Sequence, residues 1–181
     1  MRIISGTHKG KRLRPPKNLP VRPTTDRAKE ALFNILNNIF IWSDISVLDL
    51  FSGTGSISFE FASRGVNSIT AIDQSKDCIE YINRIAKDLD FKIITFKKNI
   101  YDYLNTKPSK NNIIFLDPPY DFLIHDYEKI IMNLLLYRLS YNGLIVVEHS
   151  SISNLNEIFG FKETRSYGNS SFSFFKNKAG R

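Results

Sequence analysis

A single cysteine, Cys78, leaves this 181-residue chain no partner for an intrachain disulfide and no thiolate set for a metal cluster. Cys78 falls within a helical pattern and reads as packing. No apolar run approaches the ~20 residues that cross a bilayer, and the first residues lack the apolar core of a signal peptide. No membrane partner and a cytoplasmic location are therefore expected. The histidines, His8, His125 and His149, are scattered without ligand spacing, which predicts no metal site. Internal repeats and long low-complexity linkers are also missing. The 42% hydrophobic content supports one α/β domain with a full core, but not two.

Acidic charge is scarce at one end only. Residues 1–30 hold nine lysines and arginines against Asp26 and Glu30, whereas the remainder carries 16 basic and 16 acidic residues. The whole net charge of +7 thus sits in the first sixth of the chain, where cations gain affinity for phosphates by counterion release. A polyanionic partner is expected, with Lys9, Lys11, Arg12, Arg14, Arg22 and Arg27 as candidate phosphate contacts.

Periodicity gives the organisation. Residues 2–5 and 11–14 flank a turn around Gly6 to Gly10, which predicts a small basic hairpin ended by Pro15-Pro16. Thr24 or Thr25 can cap a helix carrying Ala28, Leu32, Phe33 and Leu36 on its apolar side. Strands are expected at 46–50, 68–72, 92–96, 112–116 and 143–147, with helices between them, the pattern of a mostly parallel, doubly wound sheet. Residues 161–167 and 170–175, joined by Gly168-Asn169, leave no room for a crossover helix and predict an antiparallel hairpin at the sheet edge.

The first strand runs into Asp49-Leu50-Phe51-Ser52-Gly53-Thr54-Gly55, and a helix from Ile57 follows. Glycines at 53 and 55 allow a sharp turn and close ligand approach, but Ser58 stands where a dinucleotide fingerprint wants glycine or alanine. NAD is disfavoured. Asp73, 18 residues after Gly55, ends the second strand, where a carboxylate can accept bonds from both hydroxyls of a ribose. The apolar run Ile113 to Leu116 ends in Asp117-Pro118-Pro119-Tyr120. Two prolines lock φ and remove N–H donors, leaving a carboxylate, rigid carbonyls and an aromatic ring together. Such an acceptor-rich corner suits a nucleobase amino group bonded to Asp117 and the Pro118 carbonyl and stacked on Tyr120.

Gly53, Gly55, Asp73 and Asp-Pro-Pro-Tyr, each at a strand end, resemble the class I S-adenosylmethionine-dependent methyltransferases in their amino-group-methylating form. Arg2-Ile3-Ile4-Ser5-Gly6, Lys9-Gly10-Lys11-Arg12-Leu13, Arg22-Pro23-Thr24-Thr25-Asp26-Arg27 and Glu30 to Leu36 are similar to the N-terminal signature of the RsmD-type 16S rRNA guanine-N2 methyltransferases. The resemblance covers nearly the whole chain. It implies a Rossmann-like methyltransferase domain over residues 21–181 with a basic hairpin extension over 1–20, S-adenosyl-L-methionine as donor, and a guanine amino group of 16S rRNA as acceptor. The substrate is naked rRNA or a small-subunit assembly particle, and a monomer is expected. By the same resemblance Asp49, Phe51, Ser52, Gly53, Thr54 and Gly55 border the methionine part, Asp73 the ribose, and Asn99 or a neighbouring amide the adenine. Asp117, Pro118, Pro119 and Tyr120 form the catalytic corner, and Thr24 and Arg27 resemble positions near the substrate or the donor carboxylate. Two rival readings are a DNA amino-methyltransferase and a non-catalytic RNA-binding assembly factor that keeps the fold.

Overall fold

The computed structural model describes residues 1–16, 24–119 and 121–177. Its strands are β1 (Ser46–Leu50), β2 (Ser68–Asp73), β3 (Ile93–Lys97), β4 (Asn111–Leu116), β5 (Leu139–Ser150), β6 (Phe161–Tyr167) and β7 (Ser170–Phe175). The helices are α1 (Asp26–Asn37), α2 (Ser56–Ser63), α3 (Lys76–Asp88), α4 (Ile100–Leu104) and α5 (Ile124–Asn133). All seven strands form one sheet in the order β3-β2-β1-β4-β5-β7-β6. The first five pair in parallel, and β7 pairs antiparallel with both β5 and β6. The expected α/β class, with its mostly parallel sheet and antiparallel C-terminal hairpin, is the observed one. Strand order reverses between β1 and β4, and at that switch point the two C-terminal ends lie side by side, Leu50 opposite Leu116.

The central strands are buried on both faces, and the two-residue period assigns alternate side chains to separate cores. Val47, Ile113, Phe115 and Val146 pack with Ala28, Leu32, Phe33 and Leu36 of α1 and with Ile57 and Phe61 of α2. Leu48, Leu50, Ile114, Leu116, Ile145 and Val147 pack on the opposite face with Ile100 of α4 and with Tyr127, Ile130 and Ile131 of α5. The strand β5 begins at Leu139, four residues before the expected start, because a π-helical turn at Leu134–Arg138 hands the chain directly into it. In the C-terminal hairpin the later strand lies inside and the earlier at the edge. Phe172, Phe174 and Phe175 of β7 are buried, whereas β6 is largely exposed.

The basic N-terminal segment is docked rather than loose. Arg2 and Arg12 bridge antiparallel, Ile3 N–H donates to Lys11 C=O, and Leu13 N–H donates to Met1 C=O. Ile3 and Leu13 are buried against Phe59, Ala71, Tyr81 and Ile82. The turn lies so close to α2 that a Cβ on Gly6, whose φ is +84°, would fall 1.8 Å from the Ser63 carbonyl oxygen. Only glycine fits there. Beneath this contact, the Glu60 carboxylate accepts from the Ile4 N–H at 2.8 Å, the Ser5 N–H at 3.0 Å and Arg64 Nε at 2.9 Å, with Lys29 Nζ at 3.5 Å. Among the described residues no helix is long and apolar enough to cross a membrane.

Candidate functional site

A cavity of about 370 Å³ opens at the C-terminal ends of β1, β2, β4 and β5. The loop from β1 to α2 forms one wall. Phe51, Gly53 and Gly55 all have positive φ, at 59°, 52° and 74°. Phe51 is the costly one, since a non-glycine residue is strained in that region, and its ring is braced edge-on by Phe122 at 5.5 Å. Gly55 caps α2 and packs on Ile82 and Phe59 behind the wall, while Phe51, Ser52, Gly53 and Thr54 line it. The loop is held at its apex by Asp73, whose Oδ2 accepts from Gly53 N–H at 2.7 Å while Oδ1 accepts from Ser75 N–H at 2.8 Å. Asp73 also lines the cavity, and two carboxylate oxygens offer about four acceptor sites, so capacity for a ligand remains.

Asp49 lines the inner end of the cavity and is buried. Burial pushes its carboxyl up to about 7, against the opposing effect of the Ser58 hydroxyl, which donates to Oδ2 at 2.5 Å. Ser58, the residue that breaks the dinucleotide fingerprint, is therefore the partner of this acid. The neighbouring Ser52 Oγ is buried with no hydrogen-bond partner among the described residues. An orphaned buried hydroxyl on a cavity wall calls for a partner from a ligand. Together with the two carboxylates and the positive-φ loop, it fits a donor with a polar amino-acid end and a ribose.

From the ends of β4 and β5, Phe115, Asp117, Pro118, Pro119 and Glu148 also line the cavity, together with Thr24. Asp117 N–H donates to Leu50 C=O at 3.3 Å, which ties the Asp-Pro-Pro corner to the end of β1. Hence the structure places Asp49, Phe51, Ser52, Gly53, Thr54, Asp73, Asp117, Pro118 and Pro119 around one cavity. Asn99 is positioned differently. Its side chain accepts from Tyr101 N–H at 2.9 Å as the cap of α4, and its neighbours Lys98 and Ile100 line the cavity instead. Lys9, Lys11, Arg12 and Arg14 are exposed on the docked hairpin. Arg27 is exposed and borders a second hollow with Tyr167, Gly168 and Asn169 at the β6–β7 turn. Arg22 and Tyr120 lie outside the described residues.

Thr24, which the resemblance put near the substrate or the donor carboxylate, lines the cavity, and beside it lies Glu148, which was not among the expected site residues. Thr25, not Thr24, caps α1, with its side chain accepting from Ala28 N–H, and this frees the Thr24 hydroxyl to donate to Glu148 Oε2 at 2.7 Å. Glu148 had a readable signal, an acid at the end of the otherwise apolar run Leu144 to Val147, the same placement that marks Asp117. Of the histidines, His149 is buried and bonds Ser173 Oγ at 2.7 Å, burial pushing its pKa down, and His8 packs edge-on against Phe91.

Known proteins resemble the chain over its full length. It is 30% identical to "Putative rRNA methyltransferase YlbH" of Bacillus subtilis, an alignment that covers 98% of this chain and 100% of that protein. It is 33% identical over 121 residues to "Ribosomal RNA small subunit methyltransferase D" of Escherichia coli K12, covering 66% of this chain and 60% of the relative. Among solved structures, "Putative methyltransferase yhhF" from Escherichia coli superposes with a TM-score of 0.83 at 27% identity, covering 99% of both chains. The family described as Conserved hypothetical protein 95 matches residues 1–176. The chain belongs to that family, the RsmD-type members of the class I S-adenosylmethionine-dependent methyltransferases.

Proposed function

We propose that the protein transfers a methyl group from S-adenosyl-L-methionine to the exocyclic N2 of a guanine in 16S rRNA. The observation that carries this reading is the meeting, across one cavity, of the Asp49 to Thr54 wall with Asp73 and the Asp117-Pro118-Pro119 corner. When bound, the donor supplies an electrophilic methyl group on a sulfonium. Ser52 Oγ would hold its amino-acid end, and Asp73 would hold its ribose. At the Asp-Pro-Pro corner, Asp117 and the Pro118 carbonyl accept hydrogen bonds from the two N–H groups of the guanine amino group. That nitrogen is a poor nucleophile because its lone pair is delocalised into the ring. Two acceptors fix its orientation and stabilise the positive charge that develops on it. The methylated nitrogen then sheds a proton, with Asp117 as the adjacent acceptor.

Incubation with methyl-labelled donor and small-subunit rRNA, followed by mass mapping of the product nucleoside, tests the reading. Label in N2-methylguanosine is the expected result. Label in the bases of DNA offered in a parallel incubation, or donor binding without any transfer, favours one of the rival readings. Asp73→Ala is expected to weaken affinity for S-adenosylhomocysteine by about 1.5–3 kcal/mol, with a smaller effect on the saturated rate, as measured by isothermal titration. Unchanged affinity would place the ribose elsewhere.

In this reading residues 1–20 form an RNA-docking extension of the catalytic domain at 21–181. Lys9, Lys11, Arg12 and Arg14 stay exposed while Ile3 and Leu13 anchor the hairpin in the core. Replacing all four cations by glutamine is expected to flatten the dependence of RNA affinity on log salt by about 0.7 to 0.9 units per lost phosphate contact. Donor affinity should not change, since none of the four lines the cavity. An unaltered salt slope would move RNA docking to the body of the domain around Arg27.

A further inference from the structure

Glu148 is a buried acid, 6% exposed, on the cavity wall that carries the Asp-Pro-Pro corner. Its position follows from the sheet. β4 and β5 run parallel with Phe115 opposite Val146 and Leu116 opposite Val147; Asp117 directly follows β4, and Glu148 is the next residue of β5. Neighbouring strands lie ~4.8 Å apart. By the two-residue period both side chains continue the face that carries Phe115 and Val146, toward α1 and α2. Thr24, at the entry to α1 and also buried, donates its hydroxyl to Oε2 and so fixes the plane of the carboxyl group. Two carboxyl-bearing residues that follow neighbouring positions of adjacent strands therefore line one cavity. Methylation of an amino group by the Asp-Pro-Pro corner uses only Asp117.

We infer that Glu148 is the residue that selects guanine, by accepting the N1–H of the base whose amino group Asp117 and Pro118 hold. The inference rests on the proposed guanine-N2 reading and sharpens it. In adenine and cytosine, the ring nitrogens beside the amino group are unprotonated acceptors, which a carboxylate repels. Guanine alone places a ring N–H donor, N1–H, next to its amino group, so a second acceptor beside the first matches its edge and no other. A site built to bond a substrate N–H rejects an analogue lacking it strongly, because the buried acceptor is then left unpaired.

The test uses an analogue that keeps the amino group and loses the N1–H. The guanine found to be methylated is replaced in the rRNA by 2-aminopurine, whose N1 is an acceptor, and kcat/KM is compared for wild type and Glu148→Gln. The wild type is expected to lose about 10- to 150-fold on 2-aminopurine, the equivalent of one charge-assisted hydrogen bond. Glu148→Gln should lose a similar factor on guanine and gain on 2-aminopurine, because its amide N–H can donate to N1. That gain is a change of sign that misfolding or a merely structural role cannot produce. Equal rates of the wild type on the two bases would overturn the inference without any variant. An equal loss by Glu148→Gln on both bases would overturn it too, leaving Glu148 as the anchor of Thr24. Absence of transfer to any guanine N2 by the wild type would instead bring down the underlying reading, and the inference with it.

Discussion

Replacing Asp117 by alanine is expected to lower the rate of methyl transfer by about 10² to 10⁴-fold while leaving donor affinity within a few-fold of wild type. Asp117 lines the cavity from the end of β4, beyond the strand end that the positive-φ loop of β1 leaves. It therefore acts on the acceptor, where orientation and charge stabilisation operate in the transition state more than in the ground state. Single-turnover transfer of a labelled methyl group to rRNA measures the rate, and titration with S-adenosylhomocysteine measures the affinity. Asp117→Asn keeps the shape and one acceptor oxygen, so it should fall between wild type and alanine. Activity of the alanine variant within a few-fold of wild type would mean that the amino group is oriented by backbone carbonyls alone.

The largest effect on stability is expected from Glu60→Ala. The side chain is wholly buried, and it satisfies the Ile4 and Ser5 amides as well as Arg64 and the almost fully buried Lys29. Truncation would leave two amides without their acceptor and a buried ammonium, still bonded to Arg2 C=O and Ser56 Oγ, without its counter-charge, a loss of about 3–5 kcal/mol. At this chain length that is roughly 6–20 °C in Tm. The pH dependence separates this cause from a simple packing defect. Desolvation holds Lys29 below its ordinary value of 10.5, against the Glu60 charge that raises it. Without Glu60 it falls further. Between the lowered folded value and 10.5 the unfolded chain binds the proton and the folded chain does not, so stability rises with pH across that window. Urea unfolding at a series of pH values should show the deficit of the variant shrinking toward alkaline pH. A deficit constant with pH would point to lost packing. Proteolysis near Gly10 is expected to accelerate in the variant, because the hairpin's amides Ile4 and Ser5 lose their anchor.

Strand ends and turns could be read from the chain because they are local. Short apolar runs such as Ile113 to Leu116, bounded by residues such as Gly53, Gly55 and Pro118-Pro119, announce buried parallel strands and the loops that leave them. Asp49, Asp73 and Asp117 were legible for the same reason, since the C-terminal end of such a strand is where a doubly wound sheet presents side chains to a ligand. The segregation of charge into residues 1–30 needed only counting. Asn99 is a residue type that fits a ligand contact and a helix cap equally well, and only the backbone geometry shows that its side-chain oxygen caps α4 through Tyr101 N–H.

By itself, then, the sequence determined the class of sheet, the order of its elements and the acids at its strand ends. Tertiary structure alone decided which distant groups meet. The bond from Thr24 to Glu148 spans 124 residues, and those from the N-terminal amides to Glu60 span 55 and 56. No periodicity encodes such pairs. They exist because α1 and the hairpin pack onto α2 and the sheet, and a buried polar group must find its partner among whatever that packing brings near. The inner position of β7 has the same origin, since its phenylalanines need two flanking strands to leave water and the polar face of β6 does not.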